Sequence, residues 1–288
     1  MKAITSKRGL MKAASLILIV VFMNLMVGCV GNVTEIIVPE IVEEEEEYPE
    51  TSIEKIYTIP DYTQTDPAYG GFPGGGTQYC APVSVSNFLM WLSDNGFPNL
   101  IPQSGDRQRD QFDVAYLLGS SVYMNTSLIV GTGATNLCIG LKQYILDKGY
   151  TYNRLEVQGW RYINQEFDTG EDIPNLHWVK LGIQGNGSVW LNVGFYTYDS
   201  VTDKYTRIWG HWITLVGYDQ DYLIAHDPGT PVGNEYILPI RINSGTLEGT
   251  HTGLPRSAVG FYKMTEGVHT GSTADFGILD AVVVLKMP

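Results

Sequence analysis

The sequence predicts an α+β fold, with helices in the first half of the folded region and an antiparallel sheet in the second. Three segments between residues 80 and 148 carry apolar side chains at helical spacing. Three more, between residues 188 and 226, alternate in polarity and are rich in aromatic and β-branched residues. No internal repeat interrupts this order, so one continuous domain is expected.

The first helix begins at Cys80 in Tyr79-Cys80-Ala81-Pro82-Val83. Pro82 suits a first turn, where its missing N–H would have no partner in any case. Val85, Phe88, Leu89 and Leu92 form the expected stripe. The second helix, Asp106 to Leu118, should bury Phe112, Ala115, Tyr116 and Leu118, and the third, Thr135 to Lys148, should bury Leu137, Leu141, Tyr144 and Ile145. Gly149 follows as a stop signal. Strands are expected at Ser188–Tyr198, Tyr205–Asp219 and Tyr222–His226, the last two joined by a tight turn at Asp219-Gln220-Asp221, with a closing strand at Val282–Lys286.

The ends of the chain differ from this core. Lys2, Lys7, Arg8 and Lys12 precede an apolar run from Ala13 to about Val27, the layout of an export signal over residues 1–28. Leu25-Met26-Val27-Gly28-Cys29 resembles the lipobox of bacterial lipoproteins. That resemblance implies cleavage before Cys29, acylation of its thiol, and residence in the bacterial cell envelope on a membrane anchor. An ordinary cleaved signal is the alternative, and either exports the protein. Residues 29–54 form an acidic tether around the unbroken run Glu43 to Glu47, where like charges repel and little can be buried. The folded domain is expected over residues 55–288.

The whole chain carries 18 cations against 31 acids, a net charge of −13. Removing the four signal cations leaves 14 against 31, or −17. Such a surface repels nucleic acid, so no nucleic-acid partner is expected. Neither a histidine pair at zinc spacing nor a Cys-x-x-Cys motif occurs, and no cofactor is expected. A monomer is the simplest state. Of the three cysteines, Cys80 and Cys138 remain for the domain; a single bridge between them is the alternative to a free thiol.

Cys80 carries the functional reading. A thiol at a helix start feels the positive end of the helix dipole and the free backbone N–H groups, which favour the nucleophilic thiolate. It still needs a base and an orienter. Of five histidines, His177, His211, His226, His251 and His269, the second lies within an expected strand, where a side chain is held rigidly. Asp227 follows sixteen residues later at the end of the next strand, close enough through a short hairpin to hold the His211 Nδ1–H and leave the other nitrogen for sulfur. Pairing with imidazolium depresses a cysteine pKa from about 8.5 to about 3–4, a shift far beyond what a helix dipole alone supplies.

Three segments together resemble the papain-like cysteine peptidases, specifically the family related to the double-glycine leader peptidases that process bacteriocins. They are Ile59-Pro60-Asp61-Tyr62-Thr63-Gln64, Cys80-Ala81-Pro82-Val83-Ser84, and the His211 strand with Asp227-Pro228. The resemblance implies a papain-like fold, a peptide or protein substrate, and Gln64 as the oxyanion-hole side chain, with Gln78 a rival two residues before the nucleophile. Ala81 stands where the family has glycine, and the Gln64–Cys80 gap exceeds that of papain. The expected function is therefore a lipid-anchored extracytoplasmic cysteine peptidase with Cys80, His211 and Asp227 as its triad. An inactive surface binding module and a thioester-forming acyl transferase on the same fold are the alternatives.

Overall fold

The computed structural model describes residues 47–230, 233–249, 255–268 and 273–288. The signal over residues 1–28, the lipidation site Cys29, His251 and His269 lie outside the described residues. Four helices are present among them: α1 Cys80–Asp94, α2 Arg107–Gly119, α3 Ala134–Asp147 and α4 Leu176–Gly182. The first begins where expected, and the second and third match the expected segments to within a residue at each end. Asp106 caps α2, its carboxylate accepting from the Arg109 N–H at 3.0 Å. Gly149 follows α3 at φ +82°, the left-handed conformation that ends helices.

The strands are β1 Thr51–Ser52, β2 Arg154–Gly159, β3 Gly187–Asp199, β4 Lys204–Asp219, β5 Tyr222–His226, β6 Glu235–Ile237, β7 Pro239–Arg241, β8 Thr246–Glu248, β9 Arg256–Ser257, β10 Tyr262–Met264 and β11 Phe276–Lys286. They form one sheet whose central path runs β6-β5-β4-β3-β11-β10-β7. Pairing along that path is antiparallel, as expected; the short β8 departs from it by running parallel to the start of β4. The closing strand is longer than expected, starting at Phe276, and β2 adds beside it. Within the stretch expected as tether, Thr51–Ser52 pairs with the end of β4.

Two expectations for the helices fail. Tyr116 is half exposed rather than buried, because the inward face of α2 passes through Phe112, Val114, Ala115 and Leu118. Helix α1 shows no single stripe: it is buried at every position from Cys80 to Met90, since the sheet covers one side and α2 another. The main core is formed where α1 and α3 meet β3, β4 and β11, around Phe88, Leu89, Trp190 and Leu215.

Polar ties fix α1 on this sheet. Ser84 Oγ donates to the Trp212 carbonyl at 2.9 Å, while the Ser84 carbonyl accepts from Thr214 Oγ1 at 2.9 Å and Trp190 Nε1 at 3.1 Å. Ser84 lies one turn after Cys80, and Trp212 follows His211. The three bonds therefore set the register between the helix that carries sulfur and the strand that carries imidazole.

Candidate active site

Cys80 opens α1 and is nearly closed from solvent, at 7% exposure. Tyr79, at the N-cap, supplies no side-chain acceptor. The first N–H groups of the helix are thus left to whatever occupies the cleft in front of them. Cys80 and Cys138 are both free thiols. Cys138 is fully buried, and desolvation pushes its thiol well up, with Glu166 adding to the shift. It lies in the main core and is chemically inert.

His211 sits in β4 opposite Val193 of β3. Its imidazole and the Cys80 thiol line the same cleft, near enough for the two groups to interact electrostatically. Its Nε2 lies 2.5 Å from Asp227 Oδ1. The two nitrogens are thus reversed from the sequence expectation. Asp227, just past the end of β5, takes Nε2, so Nδ1 is the nitrogen left for sulfur.

Burial alone would pull the His211 pKa down. The Asp227 carboxylate overrides that by charge and by hydrogen bond, and Cys80 adds to it, so the group is pushed up to about 10. The partner shifts the other way. Burial would raise Asp227, yet the His211 charge and hydrogen bond, with the Gly229 N–H at 2.7 Å, hold it below the ordinary carboxylate value. The two side chains are therefore an ion pair at neutral pH.

More acids stand behind Asp227. Burial, then the charges of Asp227 and Asp61, push Glu235 up to about 8. It stays protonated at neutral pH, so Asp227 carries the negative charge that His211 faces. His226 is not a rival base for sulfur, since its Nε2 is 2.9 Å from Asn234 Oδ1. His177 packs edge-on against Tyr48.

Gln64 is buried and lines the same cleft as Cys80 and His211. Its backbone N–H donates to the Pro228 carbonyl at 2.8 Å, which ties the entry segment to the Asp227 loop, and its Nε2 donates to the Thr77 carbonyl at 3.3 Å. Gln78 also lines the cleft, with Oε1 turned towards Gly131. The long Gly-rich stretch between Gln64 and Cys80 has a definite job. Gly76 is buried at φ +79°, and any Cβ there would overlap the Gln64 carbonyl. Gly76→Ala should cost about 3 kcal/mol, from left-handed strain and overpacking together. Urea unfolding would show it as a lower midpoint; an unchanged midpoint would mean that this contact does not hold Gln64.

The cleft encloses about 760 Å³. A feature that sequence reading missed reaches it through Arg207, which lines the cleft. Arg207 Nε binds Asp280 Oδ2 at 2.6 Å, and Asp280 Oδ1 accepts from Tyr196 Oη at 2.6 Å and Trp160 Nε1 at 2.9 Å. Irregular register brings these groups together: the β11–β3 pairing skips at Asp280 and the β3–β4 pairing skips at Ile208. Gly194 and Gly210 face each other across β3 and β4, and a Cβ on either would overlap Asp280 or Arg207. An ion pair 73 residues apart in sequence, assembled by bulges, leaves no local signature.

No family model matches the chain, and no curated protein matches it. Among solved structures, the chain is similar to a crystal structure from Bacillus anthracis described as a "putative C39-like peptidase". The likeness covers 83% of this chain and 98% of the other, with a TM-score of 0.40 and 12% sequence identity.

Proposed function

We propose that the protein is a cysteine peptidase, exported and lipid-anchored through Cys29, that hydrolyses peptide or amide bonds through Cys80, His211 and Asp227. One observation carries the catalytic reading: Cys80, His211 and Asp227 line one cleft, with Asp227 bonded to the His211 Nε2 and the Cys80 thiol interacting with the same imidazole. A nucleophile, a base and an orienter in that order are what thiol acyl transfer requires.

The chemistry follows from the geometry. Sulfur, its proton passed to His211 Nδ1, attacks the carbonyl carbon. The carbonyl oxygen takes up negative charge, and the Cys80 backbone N–H and Gln64 Nε2 are the donors to receive it. The C–N bond then breaks as Nδ1 returns the proton to the leaving amine. Water, deprotonated by the same nitrogen, attacks the thioester; the C–S bond breaks and the acid departs. Asp227 holds the ring and stabilises its charge throughout.

Thiol labelling tests this without a known substrate. Cys80 should react with iodoacetamide rapidly well below pH 7, where a free cysteine is slow, and His211→Ala should abolish that acid-side reactivity. Equal rates in the two proteins at pH 5 would defeat the proposal.

A further inference from the structure

The charges along the cleft do not cancel. Arg207 is matched by Asp280, and His211 by Asp227. Arg161 lines the same cleft, and its Nη1 donates to a neutral acceptor, the Gly249 carbonyl, at 3.1 Å. Among the described residues no carboxylate forms an ion pair with it. The acid whose charge it feels is Asp280, whose oxygens already serve Arg207, Tyr196 and Trp160.

One cation is thus kept, half-buried and beside another guanidinium, in a protein whose net charge is −13. Desolvation and then Arg207 both pull the Arg161 pKa down, so the site gains when a negative group arrives. Guanidinium presents a planar fork of donors that matches a carboxylate. The same cleft has large apolar lining: Ile129 and Val130, at 86% and 81% exposure, stand on one turn, with Tyr162, Ile208 and Trp209. Exposed side chains of this size in a cleft that also holds a guanidinium suit a ligand with both kinds of group.

We propose that Arg161 is a specificity subsite for a carboxylate on the substrate, so that the peptide cleaved presents an acidic group next to large apolar residues. The proposal rests on the cysteine-peptidase reading above. The carboxylate comes either from an Asp or Glu side chain or from a chain end, and the test separates the two.

The probes are iodoacetyl-Leu-Leu-Glu-amide, iodoacetyl-Leu-Leu-Gln as the free acid, and the neutral iodoacetyl-Leu-Leu-Gln-amide. Each alkylates Cys80, and the readout is the ratio of charged to neutral rates. That ratio is informative even for a damaged variant, since a loss of fold moves both rates together. At low salt at least one acidic probe should react about tenfold faster than the neutral one, the scale of a charge-assisted hydrogen bond. The favoured probe identifies the source of the carboxylate. Arg161→Gln should bring the ratio close to that of a free thiol, and Arg161→Lys should retain part of it. Fast labelling with a ratio that Arg161→Gln leaves unchanged would overturn the subsite alone. Labelling no faster than that of free cysteine with every probe would overturn the peptidase reading and the subsite with it.

Discussion

Replacing Cys80 by alanine is expected to abolish hydrolysis while leaving the fold intact. Among the described residues lining the cleft, the substitution removes the one thiol that could form the thioester. Losses of four or more orders of magnitude are usual when a triad nucleophile is removed. The structural cost is small. Cys80 is buried among apolar neighbours in the main core, and alanine keeps its Cβ. Loss of one sulfur atom from such a site costs about 1 kcal/mol. Release of new amino groups from an unfolded protein substrate measures the first effect, and thermal unfolding measures the second. Wild-type turnover by Cys80→Ala would remove residue 80 from the chemistry.

Asp227→Asn should shift the pH dependence by several units. His211 is held at about 10 because the carboxylate outweighs burial. With a neutral amide in its place, desolvation remains and only the smaller contribution of Cys80 opposes it, so the imidazole should titrate well below the wild-type value. On the proposed mechanism, wild type should keep a protonated imidazole for the leaving amine up to alkaline pH and lose activity as pH rises towards 10. In Asp227→Asn that limb should move down in pH, towards neutrality. Stability follows the same groups. The raised His211 contributes stability that is fully present below pH 6.5 and lost as pH rises through about 10. The lowered Asp227 contributes stability present above its unfolded value and lost as pH falls through its native one. Wild type should therefore gain most over the variant between those limits, and denaturant unfolding at pH 5, 7 and 10.5 would show it. Coincident alkaline limbs in the two proteins would mean that Asp227 does not set the imidazole charge.

The parts of this architecture legible beforehand are those written in local pattern. Pro82 and the apolar residues after it marked α1, and alternation marked β3 and β4 nearly to their ends. His211 and Asp227 were within reach because a tight turn joins their strands, so a short stretch of chain fixed their approach. What sequence could not supply was side-chain direction at the end of that hairpin, and the ring accordingly presents Nε2, not Nδ1, to the acid. Tyr116 was misjudged because an aromatic next to a helix stripe gives no sign of where neighbouring layers end. Helix α4, of seven residues, is too short for periodicity to show. Arg161 lies in an irregular segment and Arg207–Asp280 depends on bulges, so this part of the cleft required coordinates.

The Ser84 bonds also bear on how a substrate gets in. Because they lock helix to strand one turn from sulfur, the helix and the strand cannot hinge apart without breaking buried hydrogen bonds, and the wall that carries Cys80 and His211 is effectively a single casting. Freedom is left to the turn carrying Ile129 and Val130, whose base is closed by paired backbone bonds between Ser127 and Gly131 while its tip stands in solvent. Grafting a different tip onto that base is a way to retune what the cleft admits without disturbing Cys80, His211 and Asp227.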